Sequence, residues 1–151
     1  MSLQMDEAAL TEFLVREFPQ VAEDFRVEAV EPNFVRVRLL VADRHMRPGN
    51  TVSGPSMFAL ADVSVYLAVL AMIGPEALSV TTNVSMDFMR KPGPCDMIAE
   101  ARLLKLGRVL AVGDVLLYSE GQEPPVARAS MTYSVPPRRG AAAGLSQASA
   151  G

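Results

Sequence analysis

The sequence predicts an α+β domain in which an antiparallel sheet curls around one long helix. The helix is predicted over residues 55–73, an apolar stretch in which Asp62 is the single charged side chain. The other apolar segments are short and separated by turn-forming residues, a pattern typical of strands joined by hairpins. A helix that is apolar on nearly all sides must be covered on several of them, so the sheet has to curl around it. The length of 151 residues suits one domain with a sizeable core.

Both ends of the long helix carry recognisable signals. Ser53 or Gly54 is the predicted N-cap, and Pro55 occupies the first helical position. Gly74 followed by Pro75 ends the helix. The stretch is also long enough for a membrane span, but its polar residues dilute it and no other segment resembles a span. A buried helix in a soluble protein is therefore the favoured interpretation.

The remainder of the central region predicts strands. They cover residues 25–31, 34–41, 78–89, 96–106, 109–118 and 126–134. The first two form a hairpin around Pro32-Asn33, and turns are predicted at 107–108 and 119–122. Strand 78–89 alternates regularly, so one face is predicted to carry Val80, Thr82, Val84, Met86 and Phe88, and the other Thr81, Asn83, Ser85 and Asp87.

Three segments are predicted along the chain. Residues 1–22 form an N-terminal helical segment, with Phe13 and Leu14 on its apolar face. Residues 23–136 form the α+β domain. After two consecutive prolines, residues 137–151 are predicted to be a disordered tail.

The composition narrows the class of function. The net charge of −3, without a long basic run, argues against a nucleic-acid partner and against binding to a membrane surface. The single cysteine excludes an intramolecular disulfide, and the single histidine leaves little for a zinc site. The N-terminus lacks a charged-then-apolar leader, so we expect a cytoplasmic protein.

Asp62 is the most informative single residue. A carboxylate in so apolar a segment loses hydration, so it must be paired, hydrogen-bonded, protonated or exposed to a cleft. Carboxylates in such settings are candidates for catalysis. The competing interpretation is an aspartate on the solvent-facing side of an otherwise apolar helix.

Several fragments, in this order, resemble a known family. They are Val52-Ser-Gly-Pro55, Phe58-Ala-Leu-Ala-Asp62, Ser79-Val-Thr-Thr-Asn83, Asp87-Phe-Met-Arg-Lys-Pro92, Leu103-Leu-Lys-Leu-Gly-Arg108, Ala111-Val-Gly-Asp114 and Ala127-Arg-Ala-Ser-Met-Thr132. Their order and spacing resemble hotdog-fold acyl-CoA thioesterases of the phenylacetate-pathway (PaaI-like) type, in the 4-hydroxybenzoyl-CoA thioesterase superfamily. The resemblance implies the hotdog fold, in which a curled antiparallel sheet wraps around one central helix.

The resemblance also implies roles for the residues around the helix start. Asp62 matches the acid that serves as general base or nucleophile, and the backbone N–H of Gly54 matches the donor that polarises the thioester carbonyl. Ser53 stands where the family usually has histidine, and Pro55 stands where it has a second glycine. A plain N-cap is the alternative role for Ser53. Asn50 is expected to replace an amide that relatives place in this loop.

Further residues are implied at the site, Ser79 in catalysis and the others in substrate binding. Ser79 matches a hydroxyl that orients the attacking water in some relatives, and Thr81 and Asn83 are predicted to share its face of the strand. That face is alternatively solvated or covered by a second subunit. Three basic residues near the expected cleft, Arg90, Lys91 and Arg108, are candidates for binding the phosphates of coenzyme A, although most surface cations are simply solvated.

The resemblance implies hydrolysis of an acyl-CoA thioester to free acid and coenzyme A, without a cofactor. It further implies a homodimer or homotetramer in which Asp62 of one subunit faces the Gly54 loop of another. Two alternatives remain. One is a hotdog hydratase or dehydratase that uses His45 as an acid–base partner of Asp62. The other is a non-catalytic acyl-CoA-binding protein, because the loop departs from the family pattern.

Overall fold

The computed structural model describes residues 2–137 and has one main antiparallel sheet wrapped around a central helix. The helices are α1 (Glu7–Glu17), α2 (Pro19–Ala22) and α3 (Gly54–Ile73). The strands are β1 (Phe25–Glu31), β2 (Phe34–Leu39), β3 (Met46–Arg47), β4 (Thr51–Val52), β5 (Val80–Phe88), β6 (Met97–Leu106), β7 (Leu110–Ser119) and β8 (Ala127–Ser134). The predicted fold class is confirmed. The predicted N-terminal helical segment contains two helices, α1 and α2, and the small β3–β4 sheet was not predicted.

The main sheet has six strands in the order β1-β2-β6-β7-β8-β5, and every neighbouring pair is antiparallel. Strand β5 directly follows α3 but pairs with β8 rather than with the next strand, β6. It therefore forms one edge of the sheet, and within residues 2–137 its outer side has no strand partner.

Helix α3 is the centre of the core. Its side chains are buried along most of its length, and Leu60, Leu67 and Leu70 are fully buried. Strands β2, β6 and β7 cover it. The helix is long and apolar enough to span a bilayer, but most of that stretch is buried inside the protein. It begins at the predicted cap, Ser53, and ends at Gly74, whose φ of 98° favours glycine.

A β-bulge in β5 corrects the predicted alternation of that strand. Thr81 pairs with Tyr133 and Asn83 pairs with Thr132, so Thr82 is an extra residue that has no partner in the register. Beyond the bulge, the faces are exchanged, and Val84 pairs with the buried Met131.

The prediction that Val80 and Val84 share a face, and that Asn83 shares the face of Thr81, is therefore wrong. Thr81 faces the helix side of the sheet, whereas Asn83 lies on the outer side and is exposed. An alternating sequence pattern does not reveal a single inserted residue, because the residues on both sides of it still alternate.

The N-terminal segment packs against the same core. Leu10, Phe13 and Leu14 of α1 are buried in the cluster that contains α3. Asp6 caps α1 by accepting a hydrogen bond from the backbone N–H of Ala9 at 2.9 Å. Of the predicted tail at 137–151, all but the first residue lies outside the described residues.

Candidate active site

Asp62 opens into a cleft of about 570 Å³ between α3, the α1–α2 junction and the start of β5. The residues that line this cleft come from four separate parts of the chain. They are Glu17, Phe18, Gln20, Asp62, Val63, Tyr66, Ala77, Ser79, Val80, Thr81 and Tyr133. We call this space the Asp62 cleft.

The carboxylate of Asp62 is half-buried and held by two hydroxyl groups. Thr81 Oγ1 donates to Asp62 Oδ1 at 2.5 Å, and the phenol of Tyr133 donates to the same oxygen at 2.7 Å. Of the sequence-based alternatives, Asp62 is therefore both hydrogen-bonded and open to a cleft. The interpretation as an aspartate on a plain solvent-facing side is wrong, because α3 directs it toward β5 and β8.

Ser79 adds a free polar group to the same cleft. Its side chain is 4% exposed, and Ser79 Oγ has no hydrogen-bond partner within residues 2–137. A buried hydroxyl without a protein partner is costly unless it bonds a water or a ligand. Ser79 and Asp62 both line the Asp62 cleft, so two polar side chains lie around the same space.

Aromatic rings form the other wall of the cleft. The ring centroid of Tyr66 lies 6.3 Å from those of Phe18 and Tyr133. Burial and the nearby Glu17 carboxylate raise the pKa of Tyr66 to about 12. Burial, together with the charge of Asp62, raises the pKa of Tyr133 further above its ordinary value. Both phenols therefore stay protonated and act as hydrogen-bond donors at neutral pH.

Gly54 lies at a different place, in a second cleft of about 510 Å³ at the N-terminus of α3. It is the first residue of the helix, so its backbone N–H is one of those that the helix leaves without an intrahelical acceptor. Eight residues of helix, at 1.5 Å each, separate Gly54 from Asp62 by about 12 Å. Within one chain, these two predicted catalytic residues are therefore not brought together. We call this space the Gly54 cleft.

The neighbours of Gly54 have local roles. Ser53 Oγ accepts a hydrogen bond from the backbone N–H of Ser56 at 3.3 Å, which is the geometry of an N-cap. Pro55 is exposed in the first turn of the helix. Asn50 has a φ of 57° in the turn between β3 and β4, is exposed, and lines neither cleft.

The predicted phosphate-binding cations are dispersed. Lys91 lines the Gly54 cleft together with Arg47, a residue that the sequence pattern did not single out. Arg90 donates a hydrogen bond to the backbone carbonyl of Pro125 at 2.6 Å. Arg108 is exposed in the turn between β6 and β7 and lines neither cleft.

His45 is buried away from both clefts. Its Nδ1 accepts a hydrogen bond from the backbone N–H of Ala42, and its Nε2 lies 3.4 Å from a carboxylate oxygen of Asp24. Burial raises the pKa of Asp24, but hydrogen bonds and charges from Arg44 and His45 outweigh that effect and lower it overall. The backbone carbonyl of His45 accepts a hydrogen bond from Ser53 N at 2.8 Å. This histidine therefore supports the loop before α3 and does not contact Asp62.

Tyr133 is the residue that sequence reasoning missed. It lies within the predicted strand 126–134, two residues after the buried Met131, on the face that turns toward α3. A tyrosine at an inward-facing position carries a hydroxyl that needs a buried partner. That signal was available in the sequence, but the identity of the partner depends on the packing of β8 against α3.

Comparisons with known proteins agree with this architecture. A family model described as the thioesterase superfamily matches residues 49–126. A crystal structure of a candidate thioesterase from Silicibacter sp. is 59% identical, covers 91% of this chain and 96% of that one, and superposes with a TM-score of 0.85. No curated protein matches the chain significantly.

Two more distant structures share the fold. Zebrafish thioesterase superfamily member 2 is 19% identical, covers 88% of this chain and 100% of that one, with a TM-score of 0.77. A Streptococcus mutans protein bound to acetyl-CoA is 23% identical, covers 76% and 90%, respectively, and has a TM-score of 0.66.

The protonated state of Tyr66 predicts a loss of stability in alkali. Its pKa is raised from 10.0 to about 12, so its contribution to the free energy of unfolding is complete below pH 10 and is lost as the pH rises through 12. Over this pH range, the free energy of unfolding of Tyr66→Phe should therefore decrease less than that of the wild type. Each protein is compared with its own free energy of unfolding at about pH 8. Urea unfolding across the pH series measures this, and identical normalised curves would contradict the assignment.

Proposed function

Because this chain belongs to the thioesterase superfamily and is a thioester hydrolase, we propose that it hydrolyses acyl-CoA thioesters with Asp62 as the general base. The observation that carries the proposal is the arrangement of the Asp62 carboxylate. One oxygen, Oδ1, is occupied by two hydroxyl donors, while Oδ2 accepts no hydrogen bond from residues 2–137. Ser79, whose Oγ has no hydrogen-bond partner within residues 2–137, lines the same cleft.

The proposed reaction begins with a water held between Asp62 Oδ2 and Ser79 Oγ. The Asp62 carboxylate takes a proton from this water while the water oxygen attacks the thioester carbonyl carbon. The carbonyl oxygen becomes an oxyanion, which the backbone N–H of Gly54 at the N-terminus of α3 stabilises. The C–S bond then breaks, and the proton held by Asp62 passes to the departing sulfur. The products are the free acid and coenzyme A.

The roles of Asp62 and Gly54 require two copies of the chain. The two residues are about 12 Å apart along one rigid helix, too far to contact one thioester group. In a dimer with a twofold axis, two antiparallel α3 helices bring Asp62 of each copy close to Gly54 of the other. Each dimer then contains two equivalent sites.

The edge strand β5 supports this dimer. Its unpaired side offers backbone hydrogen-bonding groups to a second β5 strand. Apolar side chains are also exposed around it, which is the property expected of a surface covered by a partner. They are Leu78, Val80, Val84, Phe88 and Met89. Phe88 lies against Gly54, so the same surface continues into the Gly54 cleft.

Coenzyme A is proposed to bind along the Gly54 cleft, with Lys91 and Arg47 facing its phosphates. The acetyl-CoA bound to the Streptococcus mutans protein of the same fold supports a coenzyme A thioester as the substrate class. The Asp62 cleft, with its wall of Phe18, Tyr66 and Val80, is proposed to hold the acyl group. His45 contacts Asp24 instead of Asp62, so the geometry does not favour the hydratase alternative.

Asp62→Asn is expected to lower kcat/KM about 1,000-fold on any acyl-CoA that the wild type hydrolyses, because an amide cannot accept the proton of water. A panel of short, branched, aromatic and long acyl-CoAs, followed by release of free thiol, identifies a suitable substrate. Asp114→Asn is the matched control, since Asp114 is exposed on β7.

Two outcomes would contradict the proposal. The first is a wild-type protein that binds acyl-CoAs, seen as thermal stabilisation, yet releases no thiol from any member of the panel; this outcome would indicate the non-catalytic binding protein. The second is a folded Asp62→Asn variant with the activity of the wild type.

Lys91→Ala is expected to raise KM for acyl-CoA about fivefold and to leave kcat unchanged, because an exposed cation attracts the phosphates without contacting the reacting atoms. The same acyl group on N-acetylcysteamine, a thioester without phosphates, should be hydrolysed equally well by both proteins. Lys105→Ala serves as a control for charge alone. A proportional loss with both substrates would place Lys91 elsewhere in the mechanism.

A further inference from the structure

The hydroxyl of Tyr133 contacts Asp62 at two of its oxygen atoms. The hydroxyl oxygen lies 2.7 Å from Asp62 Oδ1 and 2.8 Å from the backbone carbonyl oxygen of the same residue. The side chain is 2% exposed, and its ring packs against Tyr66 on the next turn of α3. The phenol is therefore fixed relative to the helix backbone as well as to the carboxylate.

Thr81 and Tyr133 act as a pair because of sheet register. The two residues are directly opposite each other on β5 and β8, so both side chains point to the same face of the sheet. The bulge at Thr82 follows immediately, so the side chains of β5 beyond it lie on exchanged faces of the sheet. Both hydroxyls consequently reach Asp62 Oδ1, and neither reaches Oδ2.

We infer that Tyr133 is a positioning residue that, with Thr81, holds Asp62 Oδ1 and leaves Oδ2 as the oxygen that activates water. This inference rests on the proposed function and extends it to a residue beyond the region, 49–126, that the family model matches. Two donated hydrogen bonds occupy Oδ1 and oppose rotation of the carboxylate. The unoccupied oxygen is then directed into the Asp62 cleft that Ser79 also lines.

The electrostatic surroundings of Asp62 are simple enough for a pH profile to be interpreted. The titratable groups that line its cleft are Glu17 of α1, Tyr66 of α3 and Tyr133 of β8. Both tyrosines remain neutral in the acid range, because burial raises their pKa values. Among the groups that line this cleft, Glu17 is the other carboxyl that can contribute to the acid limb of the kcat/KM profile, and Glu17→Gln isolates its effect.

The test is Tyr133→Phe, which removes the hydroxyl but keeps the ring. We expect kcat to fall about tenfold with KM within about twofold, and the acid limb of the kcat/KM profile to move up by about one pH unit, because a carboxylate that loses a donor binds its proton more tightly. Thr81→Val should also lower kcat and move the acid limb up, whereas Thr81→Ser, which keeps a hydroxyl, should have the kcat and acid limb of the wild type. The same shift is expected when Tyr133→Phe is made in a Glu17→Gln background, which removes the other carboxyl group of the cleft.

Tyr118→Phe is the matched control. Tyr118 is a half-buried tyrosine on β7, and its hydroxyl makes no hydrogen bond within residues 2–137. It should match the wild type in rate and pH profile. A loss of thermal stability without a shifted acid limb in folded Tyr133→Phe would mean that Tyr133 is only structural.

The outcomes separate the two proposals. If Asp62→Asn is inactive but Tyr133→Phe and Thr81→Val are folded with wild-type kcat and acid limb, the positioning role is overturned and the proposed hydrolysis stands. If the wild type hydrolyses no thioester, or Asp62→Asn is fully active, the proposed function fails first. If Tyr133→Phe does not fold, the acid limbs of Thr81→Val and Thr81→Ser are compared instead. A limb that moves in Thr81→Val but not in Thr81→Ser supports the positioning role, and a limb that moves in neither variant overturns it.

Discussion

The burial of α3 is the constraint from which the rest of the structure follows. A helix of 20 residues that is apolar on nearly every side has to be covered on nearly every side, and here the curled sheet and α1 cover it. The cover is incomplete at the β5 edge, where the sheet ends. The single charged residue of the helix, Asp62, faces this edge, which is where an ionised group avoids the full cost of burial.

The same geometry separates the two halves of the proposed chemistry. A helix holds its residues at fixed distances, so the N–H groups at its start and a carboxylate two turns later cannot contact one substrate atom. In the proposed dimer, the exposed apolar edge of β5 combines them by pairing two copies of the chain. In the proposed dimer, the interface and the active site are one feature, so a change that weakens the β5 edge should remove catalysis together with the dimer.

Local patterns predicted most of the fold and part of the candidate site. The helix was predicted within one residue of its observed start because Ser53 and Pro55 are strong local signals, and Asp62 was found as a lone charge. Tyr133 was missed because it contacts Asp62 across 71 residues of sequence. The wrong face of Asn83 came from the bulge at Thr82, which preserves the alternation on each side. Such contacts depend on sheet register and packing, and neither can be read from a single segment of the chain.

Complementation between two inactive variants tests the central claim most directly. Gly54→Pro removes the backbone N–H, and proline suits the first position of a helix; Gly54→Ala keeps the N–H, and its added Cβ would lie 3.7 Å from Phe88, an ordinary contact. Co-expression of Gly54→Pro with Asp62→Asn should produce mixed dimers with one intact site each, restoring about a quarter of the wild-type sites. Gly54→Ala alone should stay active. Folded mixed dimers with no more activity than the two parents would contradict a site shared between subunits.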